Sequence, residues 1–402
     1  MELVTLEDLQ AARERVKEVL RPTPVDVSDS LSRLAGRPVL LKPEHRQRTG
    51  SFKIRGAFNR IAQLPPGVAV VAASAGNHAQ GVALAASLTG RESTIFMPKN
   101  AALPKVAATR DYGATVRLEG DVVDDCLELA QEFAADTGAV FVPPFDDRDV
   151  IAGQGTAGLE LAEEAPEAEV VVVPVGGGGL LAGVAAALKL DGAAARRPRV
   201  VGVEAAGAPT LSAAMAAGHP VTLKRLATMA DGIAVARCSE LTLAHAQAFV
   251  DEMVTVDEEE ISRAMLLLVE RAKAVVEPAG AVSLAAILAG RIGGNGPVVS
   301  LLSGGNVDPL LLTKLIEHGL AAAGRYLTLR VVMADRVGAL AALTSALAGL
   351  GLNVLGVEHH RSGRDLAVAE VEVQVTVETR DVEHHAEVVA ALTAAGYRVE
   401  PA

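Results

Sequence analysis

The 402-residue chain is 50% hydrophobic and carries 37 Lys and Arg against 49 Asp and Glu, a net charge of −12. That length allows two or three domains with sizeable cores, and an acidic chain without a basic cluster does not suit a phosphate backbone, which excludes nucleic acid as a partner. Its two cysteines, Cys126 and Cys238, lie far apart with no second metal-type ligand spaced nearby, so neither a disulfide framework nor a zinc site is indicated. Residues 1–8 are acidic and lack an apolar core, so a reducing cytoplasm is the expected location.

Residues 6–20 put Leu6, Leu9, Ala12, Val16 and Val19 on one helical face, and Arg21-Pro22-Thr23-Pro24 closes the pattern. Short runs rich in β-branched residues follow at 39–42, 68–73, 93–97, 115–118, 140–142, 170–175, 200–203 and 298–302, with alanine-rich helical stretches between most of them. This alternation predicts an α/β fold with buried, mostly parallel sheets covered on both faces. Residues 170–188 are uncharged and long enough to cross a bilayer. Pro174 and five glycines in that stretch would cost a helix about 3 kcal/mol and about 1 kcal/mol each, so strand, glycine loop and buried helix is the better reading and no membrane span is expected. After residue 324 the texture changes. Residues 369–378 alternate strictly, with Ala369, Val371, Val373, Val375 and Val377 against Glu370, Glu372, Gln374, Thr376 and Glu378, as in a strand with one buried face. Together with strand patterns at 326–333, 353–358 and 397–400 and helical patterns at 337–350 and 382–395, this predicts a small α+β module in the order βαββαβ.

Four stretches carry chemistry. In Ser51-Phe52-Lys53-Ile54-Arg55-Gly56, a lysine beside an aromatic residue is a candidate for an amine of lowered pKa that forms a Schiff base, with Arg55 as the candidate second cation. Ser74-Ala75-Gly76-Asn77-His78-Ala79-Gln80-Gly81 and Gly176-Gly177-Gly178-Gly179 each lie between a strand pattern and a helix pattern, where free backbone N–H groups meet an anion. Ser303-Gly304-Gly305-Asn306 occupies a third such junction. The carboxyl ends of strands form the ligand crevice of an open α/β sheet, so these junctions can converge on one cofactor.

In order and wording the four stretches resemble the pyridoxal-phosphate enzymes of the tryptophan synthase β-like fold (fold type II), and among them the threonine dehydratases (threonine ammonia-lyases). The resemblance implies a two-lobed catalytic domain over residues 1–324, with its smaller lobe at about 42–149. It also implies that Lys53 carries the cofactor, pyridoxal 5'-phosphate, and then removes the substrate's α-proton, with Phe52 near the ring. Gly176 to Gly179 and Leu180 are then the phosphate cradle, Asn77 the partner of the ring's phenolic oxygen, and Ser303 that of the ring nitrogen. Ser74, Ala75, Gly76, Asn77 and His78 form the substrate loop. A hydroxyl at Ser303 leaves the ring a weak electron sink, which favours elimination. Asp231-Gly232-Ile233-Ala234 and Glu277-Pro278-Ala279-Gly280 also match the pattern, while Ala236-Arg237-Cys238 departs from it.

Residues 325–402 resemble an ACT domain, which senses amino acids. Asp335, Gly338 and Leu340 in its first strand-to-helix loop, with Asn353, are the expected effector residues, and isoleucine or valine the expected effectors. A purely dimerising ferredoxin-like module is the alternative. The amino-acid substrate and effector are the expected small-molecule partners, and a homodimer or homotetramer the expected assembly. Serine racemases of the same fold carry a serine where Ala75 stands. Their cation site is matched by Glu204 and by the Ala208 carbonyl, but Thr210 stands where an acid is expected, so the metal is unknown. From another class, Gly177 to Ala182 fits a dinucleotide fingerprint with Glu204 ending the next strand, which permits a nicotinamide-dependent oxidoreductase but leaves Lys53, Asn77 and Ser303 without roles. A catalytically inert amino-acid sensor is the third reading.

Overall fold

The computed structural model describes residues 2–191, 197–322, 324–361 and 366–401. The chain forms two compact units, Met1–Pro309 and Leu310–Ala402. In the first, ten strands form two sheets: β1 (Asp26–Val27), β2 (Val39–Lys42), β3 (Val70–Ala73), β4 (Ser93–Met97), β5 (Thr115–Leu118), β6 (Val140–Phe141), β7 (Val170–Pro174), β8 (Arg199–Ala205), β9 (Glu252–Val256) and β10 (Val298–Leu301). The larger sheet runs β1-β2-β10-β7-β8-β9, parallel apart from β1, and the smaller, all-parallel sheet runs β5-β4-β3-β6. Every apolar run predicted in this part of the chain is a strand. The edge strands β1 and β9 escaped notice because one is two residues long and the other, Glu252 to Val256, is only half-buried and has no apolar run. The first helix, Leu6–Val16, is shorter than its periodicity suggested: Val19 and Leu20 both donate to the Val16 carbonyl in a closing turn.

The registers place β10 between β2 and β7, so the turns after β7 and β10 leave the same edge of the sheet side by side. Beneath them the helices Arg148–Glu164 and Gly179–Leu190 cross at very short range through glycines. A Cβ on Gly155 would lie 2.8 Å from the Gly183 carbonyl, and one on Gly158 2.7 Å from Ala187 Cβ. Interiors packed to crystal density tolerate no such additions.

The second unit has β11 (Tyr326–Ala334), β12 (Val354–His360), β13 (Glu370–Glu378) and β14 (Arg398–Pro401) in one antiparallel sheet ordered β12-β13-β11-β14, with helices Ala339–Gly349 and Val382–Ala394. This is the βαββαβ order read from the sequence. Val371, Val373, Val375 and Val377 all face its core, as the strict alternation required. Among the described residues no helix is long and apolar enough to cross a membrane.

The helix contact sets a test. A methyl group added at Gly183 would stand 2.5 Å from the Gly155 nitrogen, so Gly183→Ala is expected to cost about 1–3 kcal/mol of overpacking, read as a lower denaturant midpoint with an unchanged slope.

Candidate active site

Lys53 opens the helix Lys53–Ile61, whose N-cap, Phe52, makes no side-chain hydrogen bond. The lysine Nζ donates to the Pro144 carbonyl at 2.9 Å and stands 5.2 Å from the centroid of the Phe52 ring. Burial pushes this amine down to about 8, against the opposing attraction of Glu277. Arg55 is not the second cation that its spacing suggested. Its fully buried guanidinium pairs with Glu44 and Glu160 at 2.7 Å each and also donates to Thr23 and Thr156, so desolvation alone lowers the lysine.

The other stretches meet at Lys53. A Cβ on Gly81 would lie 3.2 Å from the Lys53 backbone carbon, which fixes the helix Asn77–Leu88 against the start of the lysine helix. Phe52 donates its N–H to the Ser303 carbonyl at 3.1 Å, and Ser51 forms an antiparallel bridge with Gly304. Phe145, next to the carbonyl that holds Lys53, packs its ring where a side chain on Gly177 would project, and its Cβ 2.8 Å from where one on Gly179 would begin. Lys53, the 74–81 loop, the glycine turn and Ser303 thus form one site.

Each junction keeps the groups an anion needs. Gly178 adopts φ +93°, which glycine permits at little cost, and caps the helix Gly179–Leu190 without a side-chain hydrogen bond. Gly76 caps the helix at Asn77 in the same uncapped way, although the Ser74 hydroxyl accepts from the Gly76 N–H at 3.1 Å. The nearest downstream cation, Lys189, is engaged by the Pro198 carbonyl and by Asp251, so the cradle is uncharged. His78 is buried with its Nε2 2.8 Å from the Val142 carbonyl, and burial, with Lys53 nearby, depresses it to about 3. Its imidazole is therefore a neutral strut, which leaves its backbone N–H as the group a ligand can use. The half-buried Ala75 carries no titratable group.

Sequence reasoning gave no role to Glu277 or Asn306, yet they hold Asn77 from both ends. The Asn77 Nδ2 donates to Glu277 Oε1 at 2.6 Å, and Asn306 Nδ2 donates to Asn77 Oδ1 at 2.7 Å. This fixes the orientation of the amide and leaves its second N–H free. Burial raises the Glu277 carboxyl to about 7 against the lowering hydrogen bond from Asn77. The Glu277-Pro278-Ala279-Gly280 motif was the signal that could have exposed the first of them. Only Gly304 fits beside this pair, since a Cβ there would overlap the carboxylate and lie 2.9 Å from Asn77 Nδ2.

The sequence left open whether a cation binds at Glu204, and the fold gives this residue protein partners. Its buried carboxylate accepts from the Leu211 N–H at 2.6 Å and the Ser212 N–H at 3.0 Å, as well as from the Ser212 hydroxyl. It neutralises the start of the helix Thr210–Ala217, and it is closed to a ribose for the same reason. Among the described residues no three His, Cys, Asp or Glu side chains could share a metal. In the second unit the expected effector residues are split. Asp335 and Gly338 follow the end of β11 that pairs with Glu370, whereas Asn353 precedes β12 at the Glu378 end. Strands rise ~3.3 Å per residue, so one copy does not bring Asn353 to Gly338 and Leu340.

Pyridoxal phosphate fits this constellation: an amine of lowered pKa, an uncapped glycine turn, and the buried Thr49 and Ser51 hydroxyls, which have no hydrogen-bond partner among the described residues. A family model described as pyridoxal-phosphate dependent enzyme matches residues 16–304, and an ACT domain model matches residues 327–395. The chain is 45% identical over 403 residues to an L-threonine ammonia-lyase of Thermotoga maritima, with 99% of each chain covered. It is 43% identical over 396 residues to an L-threonine ammonia-lyase of Geobacter sulfurreducens, with 98% of each covered. Among solved structures, the threonine deaminase isoform 2 of Solanum lycopersicum, in its processed form, superimposes with a TM-score of 0.73 at 36% identity, covering 78% of this chain and 89% of that one. Maize serine racemase superimposes at 0.73 with 34% identity, covering 80% and 99%.

A raised carboxyl makes stability depend on pH. Glu277 binds its proton more tightly in the folded protein than in the unfolded chain, so its contribution is full below about pH 4.5 and is lost as pH rises through about 7. In cofactor-free protein, Glu277→Gln should flatten the stability profile over that window relative to the wild type, measured by urea denaturation at successive pH values.

Proposed function

Because the chain belongs to the pyridoxal-phosphate-dependent enzymes and ends in an ACT domain, we propose that it is a threonine ammonia-lyase, converting L-threonine to 2-oxobutanoate and ammonia, with L-serine to pyruvate as a side activity. The observation that carries this reading is the Lys53 amine, lowered to about 8 and fixed between the Asn77 loop and the glycine turn. When bound, the cofactor supplies an aldehyde for that amine and a ring that draws electrons from the substrate's α-carbon. Gly176, Gly177, Gly178, Gly179 and Leu180 would hold its phosphate through backbone N–H groups, the free N–H of Asn77 would meet its phenolic oxygen, and the Ser303 hydroxyl would be the neutral partner of its ring nitrogen. The substrate carboxylate would lie on the Ser74–Ala75–Gly76–Asn77–His78 loop. Lys53 would take the α-proton and return it to the β-hydroxyl, which would leave as water, and the released 2-aminocrotonate would tautomerise and be hydrolysed by one water to 2-oxobutanoate and ammonia.

Catalysis is assigned to residues 1–324 and regulation by an amino acid to 325–402. A homodimer or homotetramer is supported by the edge strand β12, which leaves Leu355 and Val357 exposed. Two buried, unpaired cysteines suit the cytoplasm.

Lys53→Ala is expected to keep the fold but lose the visible absorbance of bound cofactor together with 2-oxobutanoate production. A variant that still turns over threonine refutes the assignment. Ala75 decides the reaction type. Inversion at the α-carbon needs a proton donor on the face opposite Lys53, and a methyl group supplies none. Such a donor is worth roughly 10²–10⁴ in rate, so wild-type protein should form pyruvate from L-serine with almost no D-serine, and Ala75→Ser should raise D-serine measurably on chiral chromatography.

A further inference from the structure

Asn77 sits in the middle of a chain of side chains whose polarity is set by the backbone. Asn306 Nδ2 donates to the Thr49 carbonyl at 2.8 Å and to Asn77 Oδ1 at 2.7 Å. A backbone carbonyl only accepts, so the Asn306 amide cannot be turned over, and Asn77 in consequence presents its Nδ2 to Glu277 Oε1 at 2.6 Å. Glu277 ends the chain as a buried acceptor, its own backbone N–H bound to the Gly304 carbonyl at 3.0 Å. At the other end a Cβ on Gly50 would overlap the Asn306 amide. The charged groups that face Glu277 are Asp231 from the 3₁₀ turn Asp231–Ile233, Lys105 from the helix Leu103–Asp111, and Lys53. Lys105 is paired with Asp231 at 2.7 Å, and the Lys53 amine donates to the Pro144 carbonyl. Among the described residues Glu277 therefore has no ion-pair partner, and Asn77 is the one donor to its carboxyl.

We infer that Glu277 is a positioning residue of this reaction: through Asn77 it aims one N–H at the phenolic oxygen of bound pyridoxal phosphate and sets a switchable charge one side chain behind that oxygen, so that the proton on Glu277 governs the cofactor's own. The inference rests on the cofactor reading of the site. Asn77 has two N–H groups, and the one not taken by Glu277 is the group that meets the phenolic oxygen. Each hydrogen bond along such a chain polarises the next, and without the Glu277 acceptor the amide is held at one end only. A carboxylate in this place repels negative charge on the phenolic oxygen, and so opposes loss of the proton that the oxygen shares with the Lys53 nitrogen; a neutral carboxyl does not. Burial, working against the Asn77 hydrogen bond, brings Glu277 to about 7, so its charge changes near neutrality.

Absorbance titration of the full-length protein, stripped of cofactor and reloaded with pyridoxal 5'-phosphate, tests this through two quantities: the cofactor dissociation constant, and the pH at which the visible band of bound cofactor is half changed. Glu277→Gln keeps the shape and an acceptor oxygen but carries no charge at any pH. It is expected to bind cofactor within about threefold of wild type while the pH midpoint falls by roughly one unit. Glu277→Ala is expected to bind cofactor about tenfold more weakly or worse. Asn306→Ala loosens the amide and leaves the charge in place, so it should weaken binding by about the same factor and keep the wild-type midpoint. Urea denaturation of the cofactor-free proteins reports whether each variant folds, and Glu277→Gln carries the test if an alanine variant does not. A Glu277→Gln protein with the wild-type midpoint, or alanine variants that bind cofactor as tightly as wild type, overturns the inference while the cofactor reading stands. If the wild type takes up no pyridoxal phosphate, the cofactor reading falls and this inference falls with it.

Discussion

Arg55 carries a permanent charge with no exposed surface, two residues from the amine on which the chemistry depends. A guanidinium taken out of water is tolerable only when its donors are met in full, and here Glu44, Glu160, Thr23 and Thr156 meet them. Those partners come from the 3₁₀ turn Glu44–Arg46, the helix Arg148–Glu164 and the segment before β1. Lys42, also buried, shares Glu160 and reaches Glu164. Both cations pull the Glu160 carboxyl down to about 2 despite its burial. The network pins the first turn of the lysine helix to the helix Arg148–Glu164, which crosses the helix that follows the glycine turn, and so fixes where Lys53 can point.

Around Lys53 the protein arranges a second contrast. The amine is lowered by desolvation while a nearby carboxyl, Glu277, is raised by it, so both titrate near neutrality and each is sensitive to the other's proton. They are separated in role by what they touch. Among the described residues the Lys53 amine donates one hydrogen bond, to the Pro144 carbonyl, whereas Glu277 is bound to Asn77, which is bound in turn to Asn306. One group is available for proton transfer and the other serves to orient an amide.

How much of this the sequence disclosed follows from the range of each signal. The strand-to-helix junctions at Ser74, Gly176 and Ser303 were legible because buried parallel strands and glycine-rich turns leave local patterns, and the second unit was legible because Val371 to Val377 alternate without a break. Arg55 was misassigned because spacing along a helix gives proximity in sequence, not direction: the side chain two positions on leaves the helix on another face. Glu204 looked like a ligand because a carboxylate ending a strand has that appearance, and only the fold shows the helix start that occupies it. Glu277 and Asn306 meet Asn77 across 200 and 229 residues of chain, a separation no periodicity reports. Asn353 was grouped with the 335–340 loop for want of a register, which the β11–β13 and β12–β13 pairings supply.

The choice between elimination and inversion comes down to which groups in the 74–78 loop can lose or give a proton. His78 would be the natural acid, but its Nε2 is bound to the Val142 carbonyl and its pKa is pushed to about 3, so it carries no proton to donate at neutral pH beyond the one already committed. The Ser74 oxygen is tied to the Gly76 N–H, Ala75 has nothing to ionise, and Asn77 is locked by its two partners. The loop therefore offers hydrogen-bond donors and no group that titrates near neutrality. A substrate held there meets one titratable amine, Lys53, on one face of its α-carbon, and the carbanion formed on that face has a leaving hydroxyl at the β-carbon and no competing proton source in the loop. Loss of water is then the favoured exit, and it follows from side chains already occupied elsewhere as much as from the base itself.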